Sequence, residues 1–133
     1  ARSGTLEIRD RESGSLILSY RGRGLQTAIR SSRGVFVGKA ASGVLDSSIL
    51  RLNVRTRETI PLESRSDLVF SLHFDESRGR LYALGVQNQN TDQVSTVVEV
   101  FEGINLERRR TILDIPGEYP DAELITDPIT GMA

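Results

Sequence analysis

One pattern recurs along this chain and limits what it can fold into. A short alternating strand runs into a polar turn, the turn closes on a glycine, and a second strand follows. Residues 25–38 carry it with Ser31-Ser32-Arg33-Gly34 as the turn, and residues 69–85 with Asp75-Glu76-Ser77-Arg78-Gly79. A third copy starts at Ala122 and reaches Asp127-Pro128-Ile129-Thr130-Gly131. Aspartate or serine opens such a turn by bonding its own backbone, and glycine closes it by accepting positive φ. Between the copies lies a second unit of strand, charged turn and strand, in residues 5–18, 48–62 and 96–113. Period two dominates throughout. Ile49-Leu50-Arg51-Leu52-Asn53-Val54-Arg55 and Val97-Val98-Glu99-Val100-Phe101-Glu102 both alternate, which predicts apolar side chains on one strand face and polar ones on the other. Residues 105–113 are the best helix candidate, yet Arg108-Arg109-Arg110 interrupts any apolar stripe at helical spacing. The prediction is therefore all-β, with antiparallel strands joined by short turns.

Composition narrows the function classes. A length of 133 residues predicts one compact domain, and a hydrophobic fraction of 38% is enough for a core. The formal net charge is −1, from 17 basic and 18 acidic residues, so bulk attraction to nucleic acid or anionic lipid is not expected. Lys39 is the only lysine and the remaining basic residues are arginines, whose stems cover apolar surface and whose forks pair with carboxylates. The chain has no cysteine, which excludes disulfides and thiolate chemistry and leaves the compartment open. No apolar run has the length of a membrane-spanning helix, and Ala1-Arg2-Ser3-Gly4 is not followed by the hydrophobic segment of a signal peptide.

Gly34 and Gly79 lie 45 residues apart, and Gly79 and Gly131 lie 52 apart, the excess falling in the polar stretch 87–95. A period of this length with four strands in each repeat resembles the β-propeller superfamily. Phe74-Asp75-Glu76-Ser77-Arg78-Gly79-Arg80-Leu81-Tyr82 is similar to the inner-hairpin turn of loosely conserved blades, and Leu52-Asn53-Val54-Arg55-Thr56-Arg57-Glu58-Thr59 to the outer hairpin. The Gly-His and Trp-Asp pairs of the Trp-Asp repeat family are missing, and there is no tryptophan. The resemblance implies antiparallel four-stranded blades with boundaries near 22–24, 64–67 and 117–121. About three of them make an incomplete propeller or a fragment, since a closed ring needs about four to eight. Open blade edges then invite self-association or pairing with the remaining blades of a longer chain.

Candidate functional residues divide into those explained by structure and those that are not. His73, the only histidine, sits in an alternating strand and reads as a structural residue; one histidine builds neither a multi-histidine metal site nor a triad. Asp75, Glu76 and Asp127 recur at one turn position and read as turn caps. Gly22-Arg23-Gly24 lacks the third glycine of a dinucleotide fingerprint and reads as a connection between strands. Arg108-Arg109-Arg110 reads as a solvated face beside Glu107. Gln87-Asn88-Gln89-Asn90-Thr91-Asp92-Gln93 is the longest stretch without apolar residues and predicts a loop.

No catalytic set, metal site or cofactor is expected from these residues. The resemblance implies that blade-joining loops and middle-strand loops share one face, which would collect Arg23, Ser66, Asp67, Tyr119 and Asp121 with Asn88, Asn90 and Asp92. The expected function is a non-catalytic interaction or ligand-binding module for a protein or small-molecule partner. The alternative is part of a propeller enzyme, or an enzyme's accessory domain, with catalytic residues elsewhere.

Overall fold

A computed structural model describes residues 3–9, 12–41, 46–119, 122 and 124. The described residues form ten strands and no helix: β1 (Ser3–Arg9), β2 (Leu16–Arg23), β3 (Leu25–Ser31), β4 (Gly34–Lys39), β5 (Ile49–Asn53), β6 (Glu58–Leu62), β7 (Leu68–Asp75), β8 (Arg80–Gln87), β9 (Ser95–Glu102) and β10 (Arg108–Pro116). β1 and β2 pair as a hairpin; β3 to β6 and β7 to β10 make two four-stranded antiparallel sheets, each an up-and-down meander in chain order. The recurring hairpins of the sequence are β3–β4 and β7–β8, joined across the turns that close on Gly34 and Gly79. Residues 105–113, the helix candidate, are a turn running into β10. The third hairpin, with Asp127 and Gly131, lies outside the described residues.

The two sheets repeat one construction in detail. Each first strand shifts register near its start, between Leu25 and Thr27 in β3 and between Val69 and Ser71 in β7. Each second strand carries a glycine opposite that bulge, Gly38 and Gly85. A Cβ on Gly38 would lie 2.8 Å from the Val69 carbonyl of the neighbouring sheet, so the glycine permits close approach.

Pleating sends alternate side chains of β4 to opposite faces of the first sheet. Phe36 points with Ile49 and Leu62 toward the second sheet, where Val69, Leu72, Phe74, Leu81 and Phe101 meet them; the Phe36 and Phe74 rings stack at 5.6 Å. Val35 and Val37 point the other way with Leu50 and Leu52, and Leu6 and Ile8 of β1 cover them. The first sheet is thus packed between the hairpin and the second sheet, three layers in chain order. Its outer strand β6 is mostly exposed, as is β10 of the second sheet.

β8 and β9 depart from simple alternation, because both of their faces are buried along most of their length. Glu99, which alternation alone would place on a solvated face, is fully buried.

Candidate functional site

A meander places its turns alternately at two ends of the sheet. The β3–β4, β5–β6, β7–β8 and β9–β10 turns lie at one end. The β4–β5 and β8–β9 loops and the links between sheets lie at the other, called here the connection edge.

Backbone hydrogen bonds join the connections into one continuous rim. Ala40 donates to the Gly24 carbonyl at 3.0 Å, and Ala41 donates to the Asp67 carbonyl at 2.7 Å. Asp67 donates to Val86 at 2.7 Å, and its side chain accepts from the Gln89 amide at 3.1 Å. Gly117 donates to Val94 at 2.9 Å, and Thr96 Oγ1 donates to the Gly117 carbonyl at 2.9 Å. The rim therefore runs from Gly24 through the β6–β7 link to the β8–β9 loop and on to the segment after β10.

The predicted residues take different places along this rim. Asp67 is exposed and fixes the β8–β9 loop from the neighbouring link. Asn88 and Asn90 project from that loop with φ of 56° and 66°, a left-handed conformation that asparagine tolerates. The loop is held by its own bonds: Thr91 Oγ1 donates to the Asn88 carbonyl at 2.7 Å, and the Gln93 amide donates to Thr91 Oγ1 at 3.1 Å. Asp92 is exposed in the same loop. Tyr119 is half-exposed where the chain leaves β10. Arg23 ends β2 beside Gly24, at the start of the rim. Asp121 lies outside the described residues. Ser66 differs from the others, because it is buried and its hydroxyl faces Glu99 at 3.5 Å. It is part of the scaffold rather than of an exposed binding surface.

Sequence reasoning passed over the residues that hold the rim. Glu99 accepts from Ser64 Oγ at 2.6 Å and from the Arg65 amide at 3.1 Å, and Arg109 pairs with it at 3.6 Å. A buried carboxylate has to be matched in this way, because desolvating it unpaired is costly. Arg65 then spans the sheet edge: it donates to Gln87 Oε1 at 2.8 Å and to Thr111 Oγ1 at 2.9 Å, and pairs with Asp114 at 3.5 Å. Lys39 is buried at the same edge and donates to Asp46 at 2.6 Å. The available signal was Glu99 itself, a lone acid between Val98 and Val100 in a strand flanked by Val97 and Phe101.

Two carboxyl groups held below their ordinary values lie at the opposite, turn end. The Ser77 hydroxyl, 2.7 Å from its Oδ1, holds the Asp75 carboxyl low, aided by the Arg78 side chain and amide. Arg110, and then Arg80, hold Glu102 low. Both are structural ion pairs. His73 is half-buried in β7 against Tyr82, ring centroids 6.3 Å apart. Among the described residues no group of three or more His, Cys, Asp or Glu converges as a metal site.

Beside the rim, the outer face of the second sheet forms an open apolar groove of about 870 Å³. Tyr82, Leu84, Val98 and Ile112 line it, with Tyr119 and Leu124 from the segment after β10. Tyr119 therefore belongs both to the rim and to this groove. The Leu124 amide donates to Ser71 Oγ at 3.4 Å, bringing that segment back across to β7. No protein-family model, curated protein or solved structure matches this chain, so its fold and its rim are read from its own residues.

Proposed function

We propose that the chain is an arc of β-propeller-type blades acting as a non-catalytic binding module, with the connection edge as its docking face. The blade reading draws on the shared construction of the two sheets and on the stacking of hairpin, first sheet and second sheet in chain order. The β1–β2 hairpin then stands as the outer half of a preceding blade, and the segment at Ala122 and Leu124 opens the next.

The observation that carries the binding reading is the continuous rim. Loops from separate sheets are tied to one another through Asp67 rather than hanging independently. Polar groups at Asn88, Asn90 and Asp92 are thereby offered in a fixed arrangement, with a half-exposed tyrosine nearby. Preorganisation of this kind lowers the ordering cost of association, and tyrosine is a frequent interface anchor.

A photoreactive side chain placed at Asn90 or Tyr119 should crosslink a partner that the same group at Arg57, on the opposite end, does not capture. Alanine at Arg23, Asn90 and Tyr119 should weaken binding of that partner while leaving the melting temperature nearly unchanged. Equal capture from both ends, or unchanged affinity across the three variants, would remove this face from consideration. A bound cofactor or a turnover activity in a longer form of the chain would favour the enzyme-domain reading instead.

A further inference from the structure

The groove on the outer face of the second sheet is apolar along most of its length and basic at one end. Cross-strand partners share a face: Tyr82 lies opposite Val100 and Val100 opposite Arg110, while Glu102 lies opposite Arg108. Alternation along β8 puts Arg80 on the face of Tyr82, and alternation along β9 puts Glu102 on the face of Val100. Arg80 and Arg110 therefore line the groove at its turn end, while Thr96 and Tyr119 line it at the connection edge.

The basic end converges on a carboxylate. Glu102 is held from both sides, with Arg80 Nε 3.3 Å from its Oε2 and Arg110 Nε 3.1 Å from its Oε1. Arg110, then Arg80 and Arg108, hold the Glu102 carboxyl below its usual value, so three arginines act on one acid. Asp75, which lies opposite Arg80, is matched by Arg78 at 3.2 Å. Arg110 commits only its Nε to Glu102. Its terminal nitrogens, and the guanidinium of Arg108, are exposed and make no hydrogen bond or ion pair with any described residue. A carboxylate arriving along the groove meets these donors beside the one already clamped.

The middle of the groove offers nothing to hydrogen-bond. Leu84, Val98, Val100, Leu113 and Ile115 line it, and β8 and β9 beneath it are each paired on both sides, so no backbone group projects into it. A peptide laid there would leave amides without partners, whereas an alkyl chain has none to satisfy. From Glu102 to Thr96 the groove floor follows β9 for about 20 Å, at roughly 3.3 Å for each residue. We infer that this groove binds a long-chain carboxylate, its alkyl chain lying along the strands and its head on Arg108 and Arg110 beside Glu102. A volume of about 870 Å³ suits a ligand of that size. The inference adds a small-molecule site to the binding module and does not depend on docking at the connection edge.

Fluorescence titration of the full chain with dansylundecanoic acid, followed by displacement with unlabelled dodecanoate, tests the assignment. Saturable one-to-one binding is expected. The double variant Arg108→Ala/Arg110→Ala should weaken it about tenfold or more, as expected when charge-assisted hydrogen bonds are removed, with an unchanged circular dichroism spectrum. Leu113→Asp, on the exposed wall of the groove, should weaken it to a similar degree by placing a charge against the alkyl chain. Dodecylamine, with the same chain and the opposite charge, should not displace the probe. Asn90→Ala, in the β8–β9 loop, should leave affinity unchanged, which separates this site from docking at the connection edge. The inference is overturned by absence of saturable binding, by unchanged affinity in the double arginine variant or in Leu113→Asp, by equal displacement with dodecylamine, or by equal weakening in Asn90→Ala.

Discussion

Gly34 and Gly79 close equivalent turns, yet the backbone asks different things of them. Gly79 has φ of 64°, inside the left-handed region, and a Cβ there would meet the movable end of the Arg33 side chain. Gly34 has φ of 115°, and a Cβ there would lie 2.7 Å from the Leu52 carbonyl of a neighbouring strand. Gly79→Val should therefore cost on the order of 1 kcal/mol or somewhat more. Gly34→Val should cost at least about 3 kcal/mol, because strain and a backbone clash add. Chemical denaturation of the two variants checks the order, and equal losses would mean that the Gly34 clash relaxes freely. Leu106 shows the converse case. It holds φ of 56° in the β9–β10 turn and is almost wholly buried in the core, so burial of its side chain offsets an unfavourable backbone.

At the scale of elements, the link between the sheets depends on Glu99 more than on its own sequence. Residues 63–66 have no strand partner, and the Ser64 hydroxyl, the Arg65 amide and the Ser66 hydroxyl turn inward onto this carboxylate. Glu99→Ala should destabilise the fold by about 3 kcal/mol, since Ser64, the Arg65 amide and Arg109 all lose their acceptor together. Glu99→Gln, which keeps an acceptor in place, should lose clearly less. Thermal unfolding of both variants beside Glu99→Leu, which keeps most of the volume but offers no acceptor, separates a specific acceptor role from simple volume. The exposed edge strands carry their own protection. β10 has Arg108, Arg109 and Arg110, a register shift between Thr111 and Leu113 and a terminal Pro116, while β6 contains Pro61. Charge, bulge and proline are the usual devices that blunt strand-to-strand pairing.

With its edges blunted, β10 still leaves an exposed apolar strip at the margin of the second sheet's outer face, whose central residues are buried. Ile112, Leu113 and Ile115 are 42%, 46% and 39% exposed there, beside Tyr119 at 50%. A contiguous apolar face of this kind associates with another surface when one is available. Light scattering at rising protein concentration should show a particle mass above that of one chain, and Ile112→Glu with Ile115→Glu should return it to monomer. A strictly monomeric particle at all concentrations would mean that the face is covered from within the chain, as in a closed sandwich.

Much of this was legible in the order of residues. The hairpins at Gly34 and Gly79, the antiparallel pairing across them and the all-β character follow from local chemistry: period-two alternation, aspartate and serine at the turn openings, glycine at the closings. These signals reside within a few residues of one another, so no distant contact is needed to read them. The rim residues were legible only as a group of loops, and the burial of Ser66 among them was not, since nothing near it in the sequence reveals that Glu99 stands over its hydroxyl. That β8 and β9 are buried on both faces and that a carboxylate belongs inside were decided by tertiary structure alone. Which face of a strand is dry depends on what packs against it, and here that partner comes from tens of residues away: Leu6 on the cluster of Val35, Val37, Leu50 and Leu52, Phe74 on Phe36, Ser64 on Glu99. Local periodicity specifies the pleat, and only the packing of layers specifies which of its two sides meets water.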